Sequence, residues 1–536
     1  MTIRPQSQES RTPHMSVDID HPDAEVEAIV EPKEDVQLRR SITSTQMILM
    51  ALGTSIGAGL FFGTGEALAS GGPGYTACSP IVCTMLALGE MAATYPVAGA
   101  FYDYAVRFVD PAWGFAMGWN YVMNWLIVLP FELTVISNQL AYWYPPNSVL
   151  HTSWCSVLIF GALLIPITIV SIKGSKWFAK TELILSIVKS TTLVIFVLTS
   201  IVIASNGVAS DPRETVGSRY WKVPGAFSNG YKGFILVFRI AGMSYGGTEM
   251  LGLTAAECKE PKKMLPLASK ITIGRIALLY LVPLTMLGFV LPSDHPGLSG
   301  GRFSPFVLAS ELAGLPVMAN FFSAAILLAI FSMANAAAFA SSRALQALCH
   351  KGMGPSWGVK VRNNGLPIGA LAVSLAFSLL AFIGVSPDGH AIFDWLLSLS
   401  GVSNYCTWFT ICLSHIRLRN ALKQHSIPLD CLSWKSRLGV GGSWFAMAGC
   451  ILCLVAQIVG SFLPLEGGPT VGRFFRDVLG VFVIGSFYGG YQIWHKLGNG
   501  TWVLPKPITY DLIDPHFQAP TEKDSTSCSS IKTNAV

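Results

Sequence analysis

About twelve runs of roughly 20 mostly apolar residues follow one another along this chain, and that length is what a helix needs to cross a bilayer. They lie at about 47–68, 75–95, 113–141, 154–172, 183–204, 233–256, 272–291, 316–342, 368–385, 392–416, 443–464 and 475–495. In hydrocarbon every backbone N–H and C=O must be satisfied within the protein, which for runs of this kind means helices. The expected fold class is an all-α membrane protein of about 12 transmembrane helices. Composition agrees: 51% hydrophobic and 12% charged residues over 536, with a mean hydropathy of +0.50, leave too little polar surface to clothe a soluble globule.

Several function classes drop out on the same grounds. The net charge of +5 is spread over loops, so no nucleic acid is expected as a partner. Cys450-x-x-Cys453 lies in an apolar run without His or charge nearby and reads as packed thiols; no metal and no cofactor is expected. Paired carboxylates, metal-spaced His and Cys, and a nucleophile elbow are all missing, so the chain does not read as an enzyme. Residues 1–45, rich in Ser, Pro, Asp and Glu, read as a disordered tail, 46–497 as one helical domain and 498–536 as a second tail. With the N-terminus in the cytosol, internal loops carry about 17 Lys and Arg and external loops about six, which predicts cytosolic N- and C-termini. The sequon Asn499-Gly500-Thr501 then faces the cytosol and stays silent.

Two runs carry glycine clusters at their centres, Gly53-Thr54-Ser55-Ile56-Gly57-Ala58-Gly59 in the first and Ser244-Tyr245-Gly246-Gly247-Thr248-Glu249 in the sixth. Five helices apart, they fit a 5+5 inverted repeat (46–204 and 233–417, with 443–495 as two added helices) whose opening helices 1 and 6 are each broken at the midplane. Half-helix N-termini attract a carboxylate, and freed carbonyls accept from an ammonium. An α-amino acid presents both groups. Close helix packing through glycine is the other reading of the same clusters.

The chain resembles the fungal-type amino acid permeases of the amino acid–polyamine–organocation superfamily from about Gln46 to Pro505. The residues that carry the resemblance are QMILMALGTSIGAGLFFGTG, ALGEMAATYPVAGAFYDYAVRFVDP, GWNYVMNWLIVLPFELT, WKVPGAF, GTEMLGLTAAECKEPKKMLP and FDWLLSLSGVSNYCTWFTICLSHIRLRNAL, in that order. The resemblance implies a twelve-helix transporter domain in the plasma membrane, with a vacuolar or other internal membrane as the alternative, and uptake of amino acids with protons. It also implies that Ile56, Gly57, Ala58 and Gly59 hold the substrate carboxylate through main-chain N–H groups. Ser244, Tyr245, Gly246 and Thr248 would meet the ammonium and side chain, with Tyr245 as an aromatic gate over the substrate. A permease-like amino acid sensor and a transporter of choline, polyamines or other amines are the rival functions.

Ionisable residues inside apolar runs are costly and therefore candidates for function. Glu132, in LPFELT, reads as a proton carrier or substrate-cation contact, or else as a structural hydrogen-bonding group. Lys189, in ILSIVKSTTLVIF, reads as a proton site, which the resemblance also implies, or as a lysine snorkelling to the interface. Arg239 either snorkels outward or helps choose substrates, favouring an acidic side chain. Glu90 and Glu249 read mainly as structural, and Asn335 as a hydrogen-bonding partner of the broken helices or a packing residue.

The pattern departs from the family in two places. GYTACSPIVCTML is about seven residues shorter than usual, which removes about 10 Å of helix 2 and is expected to start it deeper, draw the preceding loop inward or leave it spanning poorly. Ala58 stands where the family usually has a hydroxyl residue, so one side-chain contact to the carboxylate is missing while the main-chain groups remain.

Overall fold

The computed structural model describes residues 42–75, 81–97, 99–144, 153–213, 216–298, 304–362, 365–385, 389–463, 468, 470–503 and 508. The two tails lie almost wholly outside these residues. Among the described residues the regular structure is seventeen α-helices with short 3-10 and π segments, and the one β-contact is a bridge between Ile42 and Cys258.

Helix α1 (Ser44–Gly53) starts on a capping box, in which Thr43 accepts from the Gln46 N–H and Gln46 reaches back to the Thr43 N–H. It stops at Gly53. The chain is non-helical at 54–57 and resumes as a π segment (Gly59–Gly63) running into α2 (Thr64–Gly71). After α3 (Ile81–Thr94) and α4 (Ala100–Phe108) comes α5 (Pro111–Leu140), opened by the Asp110 carboxylate on the Trp113 N–H and by Pro111 in the first turn. Next are α6 (Ser153–Lys173) and α7 (Ser175–Ala204). Helix α8 (Gly230–Ser244) ends in a turn at 245–249, and α9 (Met250–Leu253) follows it. Helices α10 (Pro261–Arg275) and α11 (Val282–Val290) join through a π segment into one rod. The remainder are α12 (Pro305–Leu312), α13 (Pro316–His350), α14 (Ile368–Ser378), α15 (Gly389–Gln424), α16 (Gly439–Phe462) and α17 (Val471–Asn499).

Five rods among the described residues are long and apolar enough to cross a membrane: 111–143, 175–204, 261–290, 316–350 and 439–462. Helix α3 is not, because its 14 residues span only about 21 Å, short of a hydrocarbon core of about 30 Å. Residues 76–80, just before α3 in the segment expected to be shortened, lie outside the described residues.

Burial runs opposite to that of a soluble protein. Leu158, Ile165, Leu198, Phe445, Leu452 and Leu497 are exposed, while Glu90, Glu132, Glu182, Lys189, Glu249 and Arg275 are buried. Large apolar side chains on the outside and charges within are what a lipid solvent selects. Helix α5 is central and mostly buried, and it packs along α13; most of α7 is only partly buried, and it lies nearer the rim.

Candidate functional site

The two interruptions meet. Ser244, the last residue of α8, donates its Oγ–H to the Gly59 carbonyl at 2.8 Å. A Cβ on Gly59 would lie 2.8 Å from Ser244 Cα, so the crossing of the first and sixth apolar runs depends on glycine there. Gly247 in the second break has φ +89°, a left-handed conformation in which a side chain is strained. Around the crossing is a cavity of about 30 Å³, bounded by Ser55, Gly57 and Gly59 of the first break and by Ser244, Gly246 and Gly247 of the second. Helix α5 contributes Asn124, Trp125 and Glu132, α13 contributes Met333 and α15 contributes Asn404. A space of this size has room for one or two waters, at about 10–15 Å³ each, and not for a whole amino acid.

Glu132 comes to the first break itself. Its Oε2 accepts from the Ala58 N–H at a long 3.4 Å, and its Oε1 is 3.2 Å from where a Gly57 side chain would begin. A carboxylate of this chain therefore sits on a main-chain donor of the kind expected to hold a substrate carboxylate. Of the other expected residues, Gly57, Gly59, Ser244 and Gly246 line the cavity. Ile56 is buried and its N–H is engaged by the Gly53 carbonyl at 3.0 Å.

Tyr245 does not lie over the cavity as a gate. Its ring stacks on Tyr280 at 5.0 Å between centroids and 22° between planes, because the turn at 245–249 directs Ser244 and Gly246 inward and Tyr245 towards the 261–290 rod. Tyr280 in turn donates its hydroxyl to the Ser55 carbonyl at 2.8 Å. Thr248 also misses the main cavity: it donates to the Tyr245 carbonyl at 3.2 Å and borders a second, smaller space with Thr54 and Arg275.

Lys189 is 1% exposed, so it does not snorkel. Its ammonium donates to the Gly53 carbonyl at 2.7 Å, to Ser332 Oγ at 2.8 Å and to Glu182 Oε1 at 3.0 Å. Ser332 closes the cluster by donating to Glu182 Oε2 at 2.6 Å. The cation thus faces the negative C-terminal end of α1, as a helix dipole favours. Arg239 lies before the second break, pairs with Glu66 at 2.8 Å and with Asp477 at 3.6 Å, and does not border the cavity.

Glu90 forms a bidentate pair with Arg419 at 2.5 and 2.6 Å, accepts from the Ser436 N–H at 2.6 Å and lies 3.1 Å from His415 Nε2, which ties α3 to α15. Glu249 accepts from the Gly247 N–H at 3.2 Å and from Trp408 Nε1 at 3.3 Å, holding the second break in shape. Asn335 is buried and makes no hydrogen bond to the broken helices among the described residues.

Three participants escaped the sequence reading. Glu182 had a signal, since seven residues is two helical turns and places it on the Lys189 face of α7. Arg275 stands within the apolar run at 272–291, where a cation is costly enough to be a signal in itself. Asn404, which accepts from Asn124 at 3.1 Å and donates to the Gly242 carbonyl at 2.9 Å, carried no signal apart from being polar within an apolar run.

A family model described as amino acid permease matches residues 46–502. An uncharacterized amino-acid permease of Schizosaccharomyces pombe is 39% identical over 475 residues, 87% of this chain and 80% of its own. Amino-acid permease inda1 of Hypocrea atroviridis is 37% identical, covering 86% and 82%. Amino-acid permease GAP3 of Candida albicans is 37% identical, covering 90% and 80%.

Proposed function

Because the chain belongs to the amino acid permease family, we propose that it is a secondary active transporter importing amino acids by proton symport. The observation that carries this reading is the cavity where two interrupted helices cross, edged by backbone from both. Two breaks five apolar runs apart also support the 5+5 inverted repeat and the twelve-span arrangement. The amino acid carboxylate takes the N–H groups of residues 57–59, and the ammonium takes carbonyls freed at 244–247 together with the Ser244 hydroxyl. Tyr245 and Thr248 join the substrate only after the turn at 245–249 rearranges, Tyr245 by leaving Tyr280.

Glu132 supplies a coupling mechanism. Two carboxylates cannot share one donor in a low-dielectric space without repelling each other, so a proton on Glu132 and a substrate on the break favour each other. Lys189, bonded to Gly53 at the end of α1, is the second proton site; its proton governs how firmly α1 is held. The same reading assigns the protein to the plasma membrane with both termini cytosolic, supported by the permease family, the apolar helices and the Lys and Arg excess of alternate loops.

The test is uptake of a labelled amino acid panel at acidic and neutral pH, in a host without its own amino acid permeases and with surface delivery confirmed. Faster uptake in acid, abolished by an uncoupler, is expected. Glu132→Gln is expected to keep some uptake while losing its acid stimulation, and acid stimulation untouched by Lys189→Ala removes the lysine from coupling. Silence of the unaltered protein at the surface overturns the importer reading in favour of an amino acid sensor.

A further inference from the structure

Arg275, at the end of α10, is 2% exposed, and its side chain reaches the junction of the two breaks. Nη1 donates to the Ala51 carbonyl at 2.9 Å, one of the last-turn carbonyls that α1 cannot satisfy itself. Nε and Nη2 are buried and have no hydrogen-bond partner, and among the described residues no carboxylate lies within 4.0 Å of the guanidinium. The small space beside it is bordered by Thr54 of the first break and by Gly247 and Thr248 of the second.

The identity of the unpaired atoms is informative. Nε–H and the adjacent Nη2–H form the side edge of a guanidinium, two parallel donors that match the two oxygens of a carboxylate. Elsewhere in this chain the same edge does that work. Arg419 binds Glu90 through Nε at 2.5 Å and Nη2 at 2.6 Å, and Arg213 binds Asp211 through Nε and Nη2, both at 2.8 Å. Capping α1 requires only one nitrogen, and the other edge of Arg275 is left without a hydrogen-bond partner, the guanidinium lying over the Tyr280 ring at 5.8 Å and bordering the small space between the breaks. The nearby acids are engaged elsewhere: Glu249 by Gly247 and Trp408, Glu182 by Lys189 and Ser332, and Glu132 by Ala58.

We propose that Arg275 is a second carboxylate-binding station, which takes the α-carboxylate of the transported amino acid as it leaves the central cavity towards the side of the membrane that bears the N-terminus. This rests on the importer reading above. The central cavity holds the carboxylate by main-chain N–H groups at 57–59; Arg275 lies beyond Thr54, at the end of α1, and receives it through a charged fork. Transfer breaks no covalent bond and moves no proton. Opening of the small space requires α1 to shift, which also loosens the Arg275–Ala51 bond, so release of the cap and presentation of the fork are one movement.

The experiment uses the full chain in proteoliposomes of defined orientation. A screen with twenty labelled amino acids comes first, and no uptake there refutes the importer reading before Arg275 is touched. The best-transported acid and its carboxamide are then applied from the N-terminal side. In the unaltered protein, phenylglyoxal modification of Arg275 during turnover, read by mass spectrometry, is expected to be slowed at least five-fold more by the acid than by the amide. Arg275→Gln is expected to weaken inhibition by the acid from that side about ten-fold, to the level of the amide, while the external KM stays within two-fold; Arg275→Lys recovers part of the difference. Equal protection by acid and amide, no modification during turnover, or an acid preference that survives Arg275→Gln overturns the proposal. If Arg275→Gln does not fold, the labelling of the unaltered protein still decides.

Discussion

At the scale of single residues, the interior is governed by how buried charges are matched. Lys189 and Glu182 are both removed from solvent and hold each other at 3.0 Å. Such a pair contributes little net stability compared with apolar replacements, but removing one partner abandons the other and costs about 3–5 kcal/mol. Glu182→Ala is therefore expected to lower the melting temperature of the purified protein sharply, and Glu182→Met with Lys189→Met to recover most of the loss. Equal melting of the single and double variants would show that the pair is not coupled. The Asp211–Arg213 pair in the loop after α7 behaves differently. The Arg213 guanidinium holds the Asp211 carboxyl below its ordinary range, so its contribution is complete above that range and is lost only as pH falls through the lowered value. An uptake assay at about pH 5 leaves this loop intact. Lys189 is legible because a lysine in an apolar run announces itself; Glu182 lies just before the run at 183–204, and only its two-turn spacing puts it on the Lys189 face of α7.

At the scale of elements, the breaks were legible and their detailed shape was not. Glycine clusters foretold interruptions after Gly53 and Ser244, since glycine resists helical order at modest cost and tolerates positive φ. Gly247→Ala is expected to destabilise the second break by about 1–2 kcal/mol, because a side chain is strained at φ +89°. Gly59→Ala is expected to cost about 1–3 kcal/mol by forcing the π segment at 59–63 and α8 apart at the crossing, and to reduce uptake more than surface expression. Both are checked by thermal melting alongside transport. The turn at 245–249 also explains Tyr245: the chain rotates residue by residue through it, so the position of the aromatic ring follows from turn geometry that no motif specifies. The described part of α3 (Ile81–Thr94) is anchored in its last turns by the Glu90–Arg419 fork.

At the scale of the whole molecule, charge asymmetry and burial make complementary statements. The excess of Lys and Arg in alternate loops predicts that both termini lie in the cytosol. Epitope tags at either end are therefore expected to resist external protease in intact cells and to be cleaved after permeabilisation; cleavage of one tag in intact cells would reverse the orientation. By itself the sequence determined the solvent, the helical class, the sites of interruption and the family, because run length, glycine clustering and ordered motifs are local properties that need no partner. Only the tertiary structure decided which polar groups meet: Glu132 with Ala58, 74 residues apart, Arg275 with Ala51, 224 apart, and Tyr245 with Tyr280. Those pairings depend on the azimuth of each side chain about its helix and on how the helices cross, and apolar runs buried or lipid-facing on all sides carry no periodicity from which that azimuth could be read.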